Sequence, residues 1–157
     1  MNEEMKNGVR QFVEEFGVFF ERLGFPRMAG RIWGWLLTCD PPHQTAEQIA
    51  KQLKASRGSV STMTRLLIQI GLVERIGRPG VRSGFYRVRE GGFAEVLRFK
   101  MRLTAELRAV VERGMELMKR EPPATRRHLE EYRSLCLFLE RDFPAMIEKW
   151  KREWQKR

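Results

Sequence analysis

The chain has 157 residues, 42% of them hydrophobic, and a formal net charge of +10. A chain of this length can bury one core, so we expect one compact unit, alone or with helical extensions. No apolar run approaches the roughly 18 residues that span a bilayer, and two distant cysteines do not make a disulfide framework. We therefore expect a soluble, cytoplasmic protein with no membrane association.

The first predicted helix is rich in phenylalanine. Apolar residues recur at helical spacing from Val9 to Leu23, and Gly24 ends the pattern. Five of the ten phenylalanines lie between Phe12 and Phe25. So aromatic a stripe needs a large partner surface, and we assign residues 1–25 to a dimer interface, with burial in the core of one subunit as the alternative.

A second helix begins at Pro26 and stops before two consecutive prolines, Pro41 and Pro42. Gly30 and Gly34 lie four residues apart on one side of this helix. The pair would let a neighbouring helix approach closely.

Two short helices separated by a tight turn follow. Residues 45–48, Thr-Ala-Glu-Gln, form a capping box that starts a helix over residues 46–54. Ser56 is a second N-cap candidate, and the helix that it starts runs over residues 57–70 and stops at Gly71. This spacing is typical of a helix-turn-helix.

The second of these helices has an apolar side and a small, polar, basic side. Helical periodicity buries Val60, Met63, Leu66, Leu67 and Ile70. Small residues on the opposite side would let the first turns approach base edges in a major groove: Gly58, Ser59, Ser61 and Thr62. Arg57 and Arg65 can donate to guanine or to phosphates, and the pattern does not distinguish the two. The alternative is an ordinary solvated face.

Beyond Gly71 the pattern becomes extended and predicts a β-hairpin over residues 72–76 and 85–89. Its loop contains Arg78 and Arg82 and no acidic residue. This hairpin is a candidate wing that places guanidinium groups in a minor groove or along phosphates. The alternative is that its arginines only keep an edge hairpin from aggregating. Residues 44–90 carry a net charge of +6, against −1 for residues 1–43 and +5 for residues 91–157.

Two long apolar stripes follow the hairpin. One predicted helix covers residues 93–118 and is ended by Pro122 and Pro123. The last segment has a heptad-like seam, and Asp142 with Pro144 predicts a new helical start and a bend. The seam consists of Leu129, Tyr132, Cys136, Leu139, Phe143, Met146 and Trp150. A single copy has too little surface to cover these stripes, so we expect a homodimer and an inverted-repeat operator.

Three segments together resemble the GbsR branch of the MarR-type transcriptional regulators: residues 24–42, residues 55–61 and residues 71–75. Residues 139–144 extend the likeness more loosely. The resemblance implies a homodimeric repressor of nearby genes that binds double-stranded DNA, and in the founding branch the signal is choline-like. By motif position it implies DNA contacts from Ser56, Arg57, Gly58, Ser59, Ser61, Thr62, Arg65, Arg78 and Arg82.

The expected fold is mainly α with a small β-hairpin wing, a winged helix-turn-helix of order ααααββαα. Residues 26–90 form the DNA-binding domain, and residues 1–25 and 91–157 form dimerisation helices. The alternative function is a winged-helix protein-interaction module that does not bind DNA. The two differ in salt dependence, because phosphate contacts weaken steeply as salt rises.

Enzymatic and metal-binding classes fit the sequence poorly. It contains no nucleophile-elbow, P-loop or zinc-protease motif, and its two histidines lie far apart. Prolines separate Cys39 from His43, and Cys136 lies in an apolar seam, so we expect no metal and no cofactor.

The sequence also leaves open a small-molecule effector as a partner and does not identify its chemistry. Aromatic side chains could enclose a quaternary ammonium through cation–π attraction, although aromatics at helical spacing usually form core. The candidates are Phe19, Phe20, Trp33, Trp35, Tyr132 and Phe138.

Overall fold

The computed structural model describes residues 3–77 and 84–156. The chain forms two compact units, Met1–Phe93 and Ala94–Arg157. The elements in chain order are α1 (Glu3–Arg22), α2 (Arg27–Thr38), β1 (Gln44–Thr45), α3 (Ala46–Leu53), α4 (Arg57–Gln69), β2 (Val73–Ile76), β3 (Phe85–Val88), α5 (Gly92–Leu117) and α6 (Pro123–Trp154). The predicted fold class is confirmed, with one strand, β1, that the predicted order lacks.

Helices α1 and α2 pack with their backbones in contact. A Cβ atom placed on Gly30 would lie 2.4 Å from the Phe16 carbonyl oxygen, and one on Gly34 would lie 2.9 Å from Phe16 Cβ. On the facing helix, a Cβ on Gly17 would lie 2.9 Å from Arg31 Cγ. The close approach predicted from Gly30 and Gly34 is therefore present.

The aromatic stripe of α1 is divided between the core and the surface. Phe20 is 1% exposed and lies with its ring 5.4 Å from that of the buried Trp33. Phe93, at the start of α5, stacks on Trp33 with the ring centroids 5.8 Å apart. Phe19 and Val18, in contrast, are exposed. Core packing accounts for Phe20 but leaves Phe19 and Val18 uncovered in one chain.

Arg31, in α2, forms hydrogen bonds to both α1 and the end of α3. Its Nε donates to Glu14 Oε1 at 2.8 Å, and its Nη2 donates to the Leu53 carbonyl oxygen at 3.2 Å. The Leu53 carbonyl belongs to the last turn of α3, where backbone acceptors lack a partner within the helix. The guanidinium therefore stabilises the position of the helix-turn-helix against α1.

The capping box predicted for α3 is confirmed. The Gln48 N–H donates to Thr45 Oγ1 at 3.2 Å, and the Thr45 N–H donates to Gln48 Oε1 at 2.8 Å. The helix ends one residue earlier than predicted, because Lys54 adopts a left-handed conformation with φ of 50°. That residue turns the chain sharply towards α4.

Helix α4 begins at the predicted residue, and its end is marked by Gly71, which has φ of +83°. Its buried side differs from the prediction: of the five predicted residues only Val60 and Leu67 are buried, the other three are half-buried, and Thr64 is fully buried. The Thr64 hydroxyl donates to the Val60 carbonyl oxygen one turn earlier, at 2.8 Å. This hydrogen bond satisfies the hydroxyl, so a polar side chain occupies the apolar face without an orphaned group.

The sheet has three antiparallel strands in the order β1-β3-β2. Strand β2 pairs with β3 from Val73↔Val88 to Ile76↔Phe85, and this pairing confirms the predicted hairpin. Strand β1 adds the pairs Gln44↔Tyr86 and Thr45↔Phe85. The residue that caps α3 is thus also a strand residue beside the wing.

The second unit consists of most of α5 and all of α6. Helix α5 ends at Leu117, and Pro123 is the first residue of α6 rather than a terminator of α5. Ion pairs join the two helices, among them Arg108 Nε to Glu140 Oε1 at 2.9 Å. None of the helices within residues 3–77 and 84–156 combines the length and the hydropathy that a membrane span requires.

The helical start predicted at Asp142 is wrong. Helix α6 is one element of 32 residues that passes through Pro144. The Asp142 carboxylate does not cap a new helix but accepts two hydrogen bonds from Arg141, at 2.7 and 2.9 Å. The long helix keeps the apolar seam on one continuous element.

Candidate nucleic-acid interface

The first turn of α4 is exposed and carries small side chains. Ser56 caps the helix, with its Oγ accepting a hydrogen bond from the Ser59 N–H at 3.1 Å. Gly58 is exposed, and no atom lies within 4 Å of the position that a Cβ would occupy there. Ser59 is half-buried and supports the turn. Backbone and hydroxyl groups at this end are therefore open to a large ligand.

The next turn continues the exposed face. Ser61, Thr62 and Arg65 are all exposed, and the Arg65 side chain folds back along its own helix. Its Nε donates to the Ser61 carbonyl oxygen at 3.3 Å, and its Nη2 lies 3.5 Å from Thr62 Oγ1. These contacts are at the long end of hydrogen bonding, so the guanidinium can leave them at small cost.

Arg57 has a carboxylate partner on the neighbouring helix. Its Nη2 lies 2.8 Å from Glu47 Oε1, in the first turn of α3. The two side chains are 79% and 75% exposed, so water competes with the pair.

A groove of about 830 Å³ runs between α3, α4 and the sheet. Besides Arg57 and Ser61 it is lined by residues that the sequence analysis did not include in the site, Lys51, Arg75 and Tyr86 among them. Lys51, Arg57 and Arg75 outnumber Glu47, the one acidic residue of the lining, so this concave surface beside α4 has a net positive charge. A groove of this charge suits a phosphate backbone.

Arg75 lies close to Gly84, the residue that precedes β3. A Cβ on Gly84 would lie 2.2 Å from Arg75 Nε, so a larger residue there would require the arginine side chain to change its conformation. Sequence alone gives no signal for this contact, since it requires the register of β2 and β3.

The wing itself is described only at its base. Arg78 and Arg82, the two wing residues predicted to contact DNA, lie outside the described residues. At the base, Arg87 Nε pairs with Glu74 Oε1 at 2.5 Å across the two strands. Arg87 is therefore partly neutralised.

The residues that the structure describes give little support for a metal site or a reactive cysteine. Within residues 3–77 and 84–156 no cluster of three or more histidine, cysteine, aspartate or glutamate side chains could hold a metal ion. Burial raises the pKa of the Cys39 thiol, which disfavours the reactive thiolate.

The six aromatic residues considered for an effector enclosure do not share one environment. Phe20 and Trp33 pack in the core of the first unit. Tyr132 and Phe138 are more than half exposed in the second unit.

Comparisons with known proteins indicate a transcriptional regulator. Residues 91–153 match the family model of MmpR5-like MarR family transcriptional regulators. The HTH-type transcriptional regulator MmpR5 of Mycobacterium tuberculosis is 40% identical over 132 residues, which cover 84% of this chain and 80% of that protein. A crystal structure of a transcriptional regulator superposes with a TM-score of 0.76 and 36% identity, covering 92% of this chain and 99% of the other.

These relatives are regulators rather than enzymes, as the sequence analysis expected. They confirm the MarR type but do not confirm the GbsR branch specifically. The chain belongs to the MarR family of DNA-binding transcriptional regulators, in its MmpR5-like group.

Proposed function

We propose that this protein is a homodimeric repressor that binds an inverted-repeat operator and releases it in response to a small-molecule effector. The observation that carries the proposal is the exposed first half of α4, small and basic, beside a groove that adds further cations. In this proposal the DNA-contacting residues are Ser56, Arg57, Gly58, Ser59, Ser61, Thr62, Arg65, Arg78 and Arg82.

Exposed apolar side chains on α5 support a dimer. They recur at intervals of three, four or seven residues along one side of the helix, and Leu117 is 84% exposed. Such a stripe is costly to leave in water over several turns. Its members are Phe99, Leu103, Leu107, Val110 and Leu117.

Helix α6 carries a second exposed stripe, which includes three residues of the predicted seam. Tyr132, Met146 and Trp150 are exposed, whereas Cys136 is buried within the chain. Leu135 and Trp154 extend the exposed stripe. Together with Phe19 of α1, these surfaces support the assignment of residues 1–25 and 91–157 to dimerisation.

A twofold axis fixes the form of the operator. Two copies of α4 related by this axis would enter successive major grooves about 34 to 36 Å apart. The sequence bound would then be an inverted repeat, with one half-site for each subunit.

An effector site is supported by a groove in the second unit of about 280 Å³, near the lower end of the size of ligand pockets. Apolar side chains line it, including Met101, Leu139 and Phe143, and its charged lining residues are Arg98, Arg102 and Glu140. For the choline-like signal of the GbsR branch, tryptophan fluorescence under titration with choline and glycine betaine is the direct test. An unchanged spectrum at millimolar concentrations removes that class of effector.

The central experiment measures duplex binding at two salt concentrations. We expect the wild-type protein to bind a random duplex and to weaken steeply as salt rises. Reversing the charge of Arg65 together with Arg82 should abolish this binding and leave the dimer intact in analytical ultracentrifugation. Reversing Arg113 and Arg120, two exposed arginines of the second unit, makes the same change in net charge and should preserve most of the binding.

A strictly monomeric protein that ignores duplex DNA in dilute buffer would refute the proposal. A dimer without salt-sensitive binding to duplex DNA would instead indicate a protein-interaction module, because a DNA-binding protein must weaken steeply as salt rises.

A further inference from the structure

The ion pair between Glu47 and Arg57 lies within the proposed DNA interface but contributes little to the fold. It joins the first turn of α3 to the first turn of α4, and both side chains are about three-quarters exposed. Pairs this exposed stabilise proteins by at most about 1 kcal/mol. Glu47 therefore matters more for how Arg57 binds a ligand than for the stability of the fold.

Glu47 leaves most of the donors of Arg57 unused. A guanidinium has five N–H donors, and the hydrogen bond to Glu47 takes one of them, at Nη2. While it is formed, this bond favours one orientation of the guanidinium over others. A planar donor group held in one orientation is suited to an acceptor pair in one plane, such as O6 and N7 of guanine.

The carboxylate also changes which acceptor Arg57 prefers. A phosphate is an anion and is repelled by Glu47, whereas the edge of a guanine is neutral. Arg65 provides the contrast: its hydrogen bonds go to Ser61 and Thr62 of its own helix, and within the described residues no carboxylate pairs with it. The two arginines of α4 thus differ in their electrostatic surroundings. The sequence pattern did not distinguish them.

We propose that Glu47 is a specificity-determining residue that positions Arg57 for a guanine edge and disfavours its use as a phosphate contact. The inference rests on the proposed DNA binding by α4. Arg65, without a carboxylate partner among the described residues, is the phosphate contact of the pair.

The test is selection of bound sequences from a random duplex library, followed by affinity measurements on the selected and random duplexes. We expect the wild-type protein to select one G·C pair per half-site through Arg57. Glu47→Gln should reduce the preference at that position by about 2- to 5-fold and raise the affinity for random duplex by a similar factor. Arg57→Lys should keep the random-duplex affinity but lose the preference, roughly 10-fold or more, because lysine lacks the planar pair of donors.

Glu15→Gln is the matched control. Glu15 is exposed on α1 and its carboxylate accepts a hydrogen bond from Gln11, so the same charge is removed outside the groove. We expect its selected sequences to match those of the wild type. Circular dichroism melts verify that each variant is folded, and Arg57→Lys tests the inference even if Glu47→Gln fails to fold.

Two results would overturn the inference while leaving the proposed function standing: wild-type selection of an operator with unchanged base preferences in Glu47→Gln, or unchanged preferences in Arg57→Lys. A wild-type protein that selects no duplex at all would overturn the proposed function, and this inference with it.

Discussion

Gly30→Ala should destabilise the fold, although alanine favours a helix more than glycine does. A Cβ at this position would lie 2.4 Å from the Phe16 carbonyl oxygen and 2.7 Å from Phe20 Cβ. Both atoms are fixed to the backbone of α1 and cannot rotate away. Helix α1 would have to retreat by about 1 Å to restore ordinary contact.

The expected cost follows from two opposing effects. Overpacking a well-packed interior costs about 1 to 3 kcal/mol, and a clash with backbone belongs at the upper end of this range. Replacing glycine by alanine within a helix returns about 1 kcal/mol through conformational entropy. We therefore expect Gly30→Ala to lower the free energy of unfolding by about 2 kcal/mol.

Gly8→Ala is the matched control, because Gly8 lies in α1 with nothing within 4 Å of the position that a Cβ would occupy. The same substitution there should raise the free energy of unfolding by about 0.5 to 1 kcal/mol. Gly34→Ala should fall between the two, since its nearest contact, Phe16 Cβ, is at 2.9 Å and therefore less severe than the 2.4 Å contact at Gly30.

Urea denaturation followed by circular dichroism gives these differences, at one fixed protein concentration because association would shift the midpoint. If Gly30→Ala proved as stable as Gly8→Ala, the backbone contact between α1 and α2 would be refuted.

Three further substitutions test local features. Thr45→Ala removes the capping box and should cost about 1 kcal/mol in thermal unfolding, whereas a variant as stable as wild type would show that the cap contributes nothing. Gly71→Ala forces alanine to φ of +83° and should cost about 1 to 2 kcal/mol by urea denaturation; no loss would contradict that backbone conformation. A hydrogen bond from Arg108 lowers the pKa of Glu112 below its ordinary 4.5, so its contribution to stability is present above that pH and is lost as pH falls through the lowered value. Glu112→Gln should therefore reduce the acid dependence of the unfolding midpoint, and an unchanged dependence would exclude this pair as its source.

Local sequence signals were sufficient wherever one short segment determines its own structure. The capping box at Thr45 and the glycine at residue 71 specify helix ends through their own backbone geometry. The close approach of α1 and α2 was predicted from Gly30 and Gly34, since the absence of a side chain is visible in sequence.

Features that depend on two distant segments could not be predicted in this way. Strand β1 has two residues, too few to display an alternating pattern, and exists only because β3 pairs with it. Thr64 has a polar side chain, and its burial follows from a bond to its own helix that hydropathy does not register. The Glu47–Arg57 pair depends on the angle between α3 and α4, which spacing along the chain does not give.

The pairing of β1 with β3 has a consequence for engineering this fold. Thr45 hydrogen-bonds into α3 on one side and pairs with Phe85 on the other, so the hairpin is not an interchangeable part. A hairpin transplanted from another protein would need a compatible residue opposite position 45, or the start of α3 would lose its anchor. Chimeras that exchange residues 73–88 should therefore carry residues 44 and 45 with them.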